Sequence, residues 1–191
     1  TTGASNTAVG YLSLKQNTTG HSNVSVGFTA LQENTTGANN TSVGFQSGLA
    51  NTTGSSNTSL GHNSLISNTT ASLNTAVGRS ALQANTTGAE NTATGYNALT
   101  SNTTGTNNTS NGSGSLYANT TGTSNVAMGL NALVANTTAS NNTAVGTFSL
   151  TANTTGHSNV AMGLNALNDN TTASYNTAVG TYSMDKTTTG S

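Results

Sequence analysis

The chain has 191 residues with three Lys or Arg, four Asp or Glu, a formal net charge of −1 and no Cys, and it is built mostly from 41 Thr, 30 Asn, 24 Ser and 22 Gly. So few cations cannot neutralise a row of phosphates or an anionic leaflet, which removes nucleic acid and membrane surfaces as main partners. Disulfides and thiolate metal sites are excluded, and the apolar runs are too short for a membrane span or a signal-peptide core. Leu, Ile, Val and Phe number only 29, fewer than an ordinary globular core needs, yet the charge is too low for charge-driven disorder.

Repetition resolves this conflict. Cutting before each Thr-Thr gives eleven 17-residue units with no insertion or deletion, then Thr188-Thr189-Gly190-Ser191 as the start of a twelfth. The unit reads T-T-G-x-x-N-T-A-V-G-x-x-A-L-x-x-N, clean at Thr86 to Asn102. Residues 1–191 therefore form a single quasi-one-dimensional domain whose units contact mainly their neighbours. Thr120 to Asn153 is nearly copied by Thr154 to Thr187, as expected of tandem duplication. The chain opens on Thr rather than Met, so it reads as a processed chain or a fragment of a longer fibre.

Within a unit the elements follow in order. Thr-Thr opens it, with Gly or Ala third. Position six is Asn in every unit: Asn6, Asn23, Asn40, Asn57, Asn74, Asn91, Asn108, Asn125, Asn142, Asn159 and Asn176. Stacked Asn amides satisfy one another along an axis, so a structural ladder explains this column without a ligand. Positions seven to nine follow as a short strand, in which the seventh and ninth side chains share one face and are assigned inward, while Ala or Ser at eight points out. Gly at ten makes a positive-φ corner. Position fourteen, Leu or Met except at Gly48, is a second inward anchor. Helix is excluded by Gly, Asn and Thr-Thr recurring every few residues.

The expectation is an all-β parallel solenoid or β-roll of eleven coils, stacked at about 4.8 Å into a shaft of roughly 50 Å. With two or three apolar side chains per coil the core is thin, so ladder bonds make up the rest or three chains share one core. Thr94, Asn111 and Gly48 interrupt the apolar columns. The stretch around residues 92–112 is accordingly expected to be the least stable.

The N-T-A-V-G motif resembles the repeat of YadA-like trimeric adhesin heads, and the whole unit is similar to arrays in bacterial and phage tail-fibre-like proteins. That resemblance implies a left-handed parallel β-roll, usually trimeric, on a cell surface or virion. It also implies that Thr7 and Val9, Val24 and Val26, and Val126 and Met128 face inward while Gly10, Gly27 and Gly129 turn. The 17-residue period and Thr at most seventh positions depart from that pattern and leave a single-chain solenoid open.

Catalysis needs unlike groups converging in a pocket, whereas this chain repeats neutral ones. His21 and His157 lie eight units apart and His62 sits at another position of the unit, so no metal triad forms. Glu33, Glu90, Asp169 and Asp185 are scattered, with no paired carboxylates. No enzymatic activity and no cofactor are expected. Tyr11, Phe28, Phe45, Tyr96, Phe148 and Tyr182 gather at positions eleven and twelve as a stripe suited to packing between chains or stacking on sugars. Ten Asn-Thr-Thr junctions are acceptor patterns. The first of them make Asn17, Thr18, Thr19, Asn34, Thr35, Thr36, Asn51, Thr52 and Thr53 glycosylation candidates, the alternative being that the tripeptides follow from composition and that Asn17 and its equivalents are turn or ladder residues.

The sequence thus points to a non-enzymatic extracellular fibre segment, its partners being further copies of itself, as a homotrimer or an end-to-end filament, and surface or attached glycans. Two alternatives remain: an ice-binding solenoid carrying Thr columns, and a glycan-binding adhesin head. Thr-Thr speaks against ice binding, because adjacent residues point to opposite faces and give one outward column.

Overall fold

The computed structural model describes residues 2–188. Every repeat contributes one three-residue strand: β1 (Thr7–Val9), β2 (Val24–Val26), β3 (Thr41–Val43), β4 (Thr58–Leu60), β5 (Thr75–Val77), β6 (Thr92–Thr94), β7 (Thr109–Asn111), β8 (Val126–Met128), β9 (Thr143–Val145), β10 (Val160–Met162) and β11 (Thr177–Val179). They form one eleven-stranded parallel sheet in strict sequence order. Each residue sits beside its equivalent 17 positions on, as in Thr7 opposite Val24 and Ala161 opposite Ala178. The chain is therefore an all-β solenoid in which a uniform period enforces a uniform register.

The strand faces are the reverse of the expected ones. Position eight points inward: Ala76, Ala93, Ala127, Ala144 and Ala161 are all fully buried. Positions seven and nine point outward, with Val9 57% and Met128 41% exposed. Thr7, Val24, Val26 and Val126 likewise lie on the exposed or half-buried side. The reason is the width of the coil. Seventeen residues enclose a narrow space already occupied by Leu at fourteen, Ala or Ser at thirteen and two Asn side chains, which leaves the strand wall room for little more than a methyl group. The β-branched residues pair along the outside of the sheet, where they pack well against like neighbours.

Tight winding also shows in the backbone. Gly at ten takes φ between +125° and +148° throughout, the corner anticipated for it. Three further positions per coil have positive φ: five, twelve and fourteen. Asn and Ser are frequent at five and twelve, in keeping with the tolerance of Asn for this region. At fourteen the residue is Leu, as in Leu99 at +53° and Leu116 at +50°. A left-handed conformation costs an L-residue about 1–2 kcal/mol, and here it aims the side chain into the core. Backbone bonds between coils, such as Leu82 N to Ala98 O (3.1 Å) and Leu99 N to Ser115 O (3.0 Å), hold it there.

Because position nine faces outward, Thr94 and Asn111 do not thin the core, and the reason for expecting weakness at 92–112 disappears. Ala93, Leu99 and Leu116 remain fully buried beside them. The interruption lies at Gly48. A continuous apolar cluster runs from Leu65 to Ala178, but Leu31 and Ala30, though buried, stand outside it. Between them buried hydroxyls replace carbon: Ser42 Oγ lies 2.6 Å from Ser59 Oγ, and Ser47 donates to both the hydroxyl (2.7 Å) and the carbonyl (2.8 Å) of Ser59. Gly48 adopts φ +62° without the cost Leu carries there, but supplies no apolar area. The first three coils are therefore expected to exchange their amide hydrogens as a unit separate from, and faster than, coils five to ten. Protection at 41–51 equal to that at 92–102 in a hydrogen-exchange experiment would contradict this.

Candidate functional site

Two parallel Asn columns run the length of the shaft. At position six the side chain links coils through the backbone: Asn91 Nδ2 donates to Gly105 O (2.9 Å), and its Oδ1 accepts from Asn108 N (3.0 Å). The same pattern is repeated by Asn23, Asn40, Asn74 and Asn142. At position seventeen the amides bond one another directly, as Asn34 Nδ2 does to Asn17 Oδ1 (2.9 Å) and Asn51 Nδ2 to Asn34 Oδ1 (2.8 Å). Both columns converge on the carbonyl at position three, where Asn6 and Asn17 each donate to Gly20 O. Shared bonding of this kind satisfies buried amides that would otherwise be costly.

The second ladder corrects the glycosylation expectation at Asn. Asn34 and Asn51 are buried, and the Nδ2 atom that would carry a sugar donates two hydrogen bonds in each. Asn17 Nδ2 also donates, to Gly20 O. Attachment at Asn34 and Asn51 does not fit the folded shaft, whereas Asn17, half-buried and donating one bond, keeps one amide hydrogen uncommitted. The two threonines of each junction divide. Thr18, Thr35 and Thr52 donate their hydroxyls to the position-one carbonyl of the next coil at 2.9–3.0 Å. Thr19, Thr36 and Thr53 are exposed and make no side-chain hydrogen bond, so of the nine candidates only these three present a free hydroxyl to solvent.

The second ladder stops where the repeat does. Position seventeen of the last unit is Thr187, and the Oδ1 of Asn170 is buried without a partner. Thr187→Asn places an amide donor in line with that oxygen. It is expected to raise stability by about 1 kcal/mol, the usual net worth of a buried hydrogen bond; an unchanged urea midpoint would refute this.

Of the aromatic residues at positions eleven and twelve, those of the first coils form a stacked column. Tyr11, Phe28 and Phe45 stack with ring centroids 5.2 and 5.3 Å apart, and His62 continues the column 5.0 Å beyond Phe45. Arg79 lies next, its Cζ 5.8 Å from the centre of the Tyr96 ring. His62 and Arg79 were missed because a column groups residues by position in the unit rather than by type. Phe148 and Tyr182 occupy position twelve and stand outside the stack. His21 is exposed, and His157 meets Tyr175 edge-on at 4.9 Å.

Among the described residues no three of His, Asp and Glu are grouped so as to hold a metal ion, and no helix is long and apolar enough to cross a membrane. The Lys186–Asp169 ion pair (3.0 Å) joins the last two coils. Hydrogen bonding to Asp169, then the charges of Asp169 and Asp185, raise the Lys186 pKa. A raised Lys pKa contributes stability that is fully present at neutral pH and lost only as pH climbs through the folded value. Because Lys186 is fully exposed, solvent screens the pair. Lys186→Met is expected to leave the neutral-pH melting temperature unchanged within error, and a drop of several degrees would show the pair to be structural. No protein-family model, curated protein or solved structure matches the chain.

Proposed function

We propose that the chain is a non-enzymatic shaft segment of an extracellular fibre, a neutral rod that spaces or assembles rather than transforms. The observation that carries this reading is continuity. One set of backbone and Asn bonds recurs at every step from the first strand to the last. Such a lattice transmits load along its axis without charged partners, and any weak surface contact recurs in every coil, so binding gains by avidity. The stripe that begins with Tyr11, Phe28 and Phe45 supplies an exposed lateral surface for further copies, and Thr19, Thr36 and Thr53 supply hydroxyls for attached sugars. Electron microscopy is expected to show rods of about 50 Å per chain, and native mass spectrometry to show trimers or a ladder of polymers. A strictly monomeric species at high concentration would count against assembly.

A second reading is favoured by one specific observation. Since positions seven and nine both point outward, the sheet presents two adjacent columns on a regular surface. The seventh position holds only Thr or Val, side chains of one shape: Thr41, Thr58, Thr75, Thr92 and Thr109 run without interruption. The ninth position alongside is mostly Val, Leu or Met, with Thr94 and Asn111 as exceptions, so the outward face pairs one Thr and Val column with a largely apolar one. Thermal hysteresis and ice recrystallisation assays decide it; no effect at millimolar protein removes this reading.

A further inference from the structure

A groove of about 520 Å³ opens across coils four to seven, lined by Ser67, Gln83, Asn97, Thr100, Ser101 and Tyr117. Its volume lies within the range of small-ligand sites, roughly 300–1,000 Å³. Tyr117 is the only aromatic residue at position fifteen in the chain, and it is 43% exposed. Coil seven also has the smallest turn, Gly112-Ser113-Gly114. With Gly114 at position twelve, that coil offers no side chain to cover Asn97, the position-twelve residue of the coil before.

The chemistry of the lining is selective. Thr100 is committed, its hydroxyl donating to Ser80 O at 2.8 Å. The side chains of Ser67, Gln83, Asn97 and Ser101 make no hydrogen bond within the described residues, so two amides and two hydroxyls face the groove with both donors and acceptors free. The groove is lined by neutral side chains throughout. A phosphate or carboxylate would find no counter-charge there, and an apolar chain would strand the amides. A ligand with many neutral hydroxyls and one C–H-rich face satisfies the amides and hydroxyls and lies against the Tyr117 ring at once.

We infer that this groove is a binding site for a neutral glycan, with Tyr117 as the stacking platform and Gln83, Asn97, Ser67 and Ser101 as hydrogen-bonding partners. It does not depend on the fibre reading, since the lining residues all belong to one chain. The test is amide-resolved NMR titration of the whole chain with maltotriose, cellotriose, chitotriose and mannotriose. Shifts confined to residues 67, 83–84, 97–101 and 117 are expected for at least one of these, saturating with a Kd near 1 mM, as suits a short open groove. Tyr117→Ala is expected to weaken that binding at least tenfold and Tyr117→Phe to retain it. Tyr96→Ala, at position eleven outside the groove, should leave it unchanged. An unaltered melt confirms that each variant folds. The inference is overturned if no neutral trisaccharide shifts the groove at about 10 mM, if binding survives Tyr117→Ala, or if an acidic trisaccharide binds better than all the neutral ones.

Discussion

Gly95→Ala is expected to destabilise the shaft by about 3 kcal/mol or more, and Gly180→Ala by clearly less. Both glycines turn the chain after the strand, at φ +135° and +125°, so each variant carries the strain of placing a side chain in a region that only glycine readily occupies. They differ in what stands above them. A Cβ on Gly95 would lie 2.7 Å from the carbonyl oxygen of Gly112 and 2.8 Å from its carbon, whereas one on Gly180 meets nothing within 4 Å. The obstacle at Gly95 is backbone. Moving it would break the bond from Gly112 N to Thr94 O (2.9 Å) and then the register of the coils beyond. The comparison separates the two causes: strain is common to both variants, the clash belongs to one. Urea unfolding of the two, with hydrogen exchange to localise the loss, is the measurement. Equal losses would mean that close coil stacking plays no part in requiring glycine at position ten.

The second large effect lies in the position-six ladder. Asn91→Leu keeps the volume and removes three bonds, those to Gly105 O (2.9 Å), Asn108 N (3.0 Å) and Asn108 Nδ2 (3.1 Å). Gly105 O still accepts from Asn102 Nδ2 at 3.0 Å, but the buried Asn108 N–H is left without its acceptor. Loss of the bonds and the desolvation of an orphaned donor together suggest about 3–5 kcal/mol. Asn91→Asp is more diagnostic. Protonated, its carboxyl group can donate to Gly105 O and accept from Asn108 N, reproducing the amide. Ionised, it sets a buried negative charge against a carbonyl. Burial therefore raises the folded pKa of this Asp above the unfolded value of about 3.9. In the interval between the two values the folded state holds the proton more tightly, so stability falls as pH rises, by up to about 1.4 kcal/mol per pH unit. The Asp variant should approach the parent near pH 3 and be weakest at neutral pH. An equal deficit at pH 3 and pH 7 would show that Asn91 acts by shape rather than by donating and accepting.

The exact 17-residue period and the single residues it repeats were enough to establish a parallel solenoid in register, the Asn column, the glycine corner and the buried Leu at fourteen, because translation along an axis puts like on like whatever the coil's shape. Which strand face is the inner one was not decidable that way. Alternation permits either choice, and Thr-Ala-Val reads by hydrophobicity as valine-in; the narrow cross-section reversed it, since only Ala or Ser fits beside Leu and two amides. The same closure made position seventeen a second ladder, which commits both amide hydrogens of Asn34 and Asn51, and it placed Leu99 and its equivalents at positive φ, a conformation their residue type does not signal. It also divided the core at Gly48 rather than at Thr94 and Asn111. The groove beside Tyr117 draws its residues from positions twelve, fifteen and sixteen of four successive coils, so no contiguous motif records it. Repetition alone fixes what is stacked on what along the shaft, whereas what lies inside and what lies outside depends on how tightly seventeen residues can wind around the side chains they enclose.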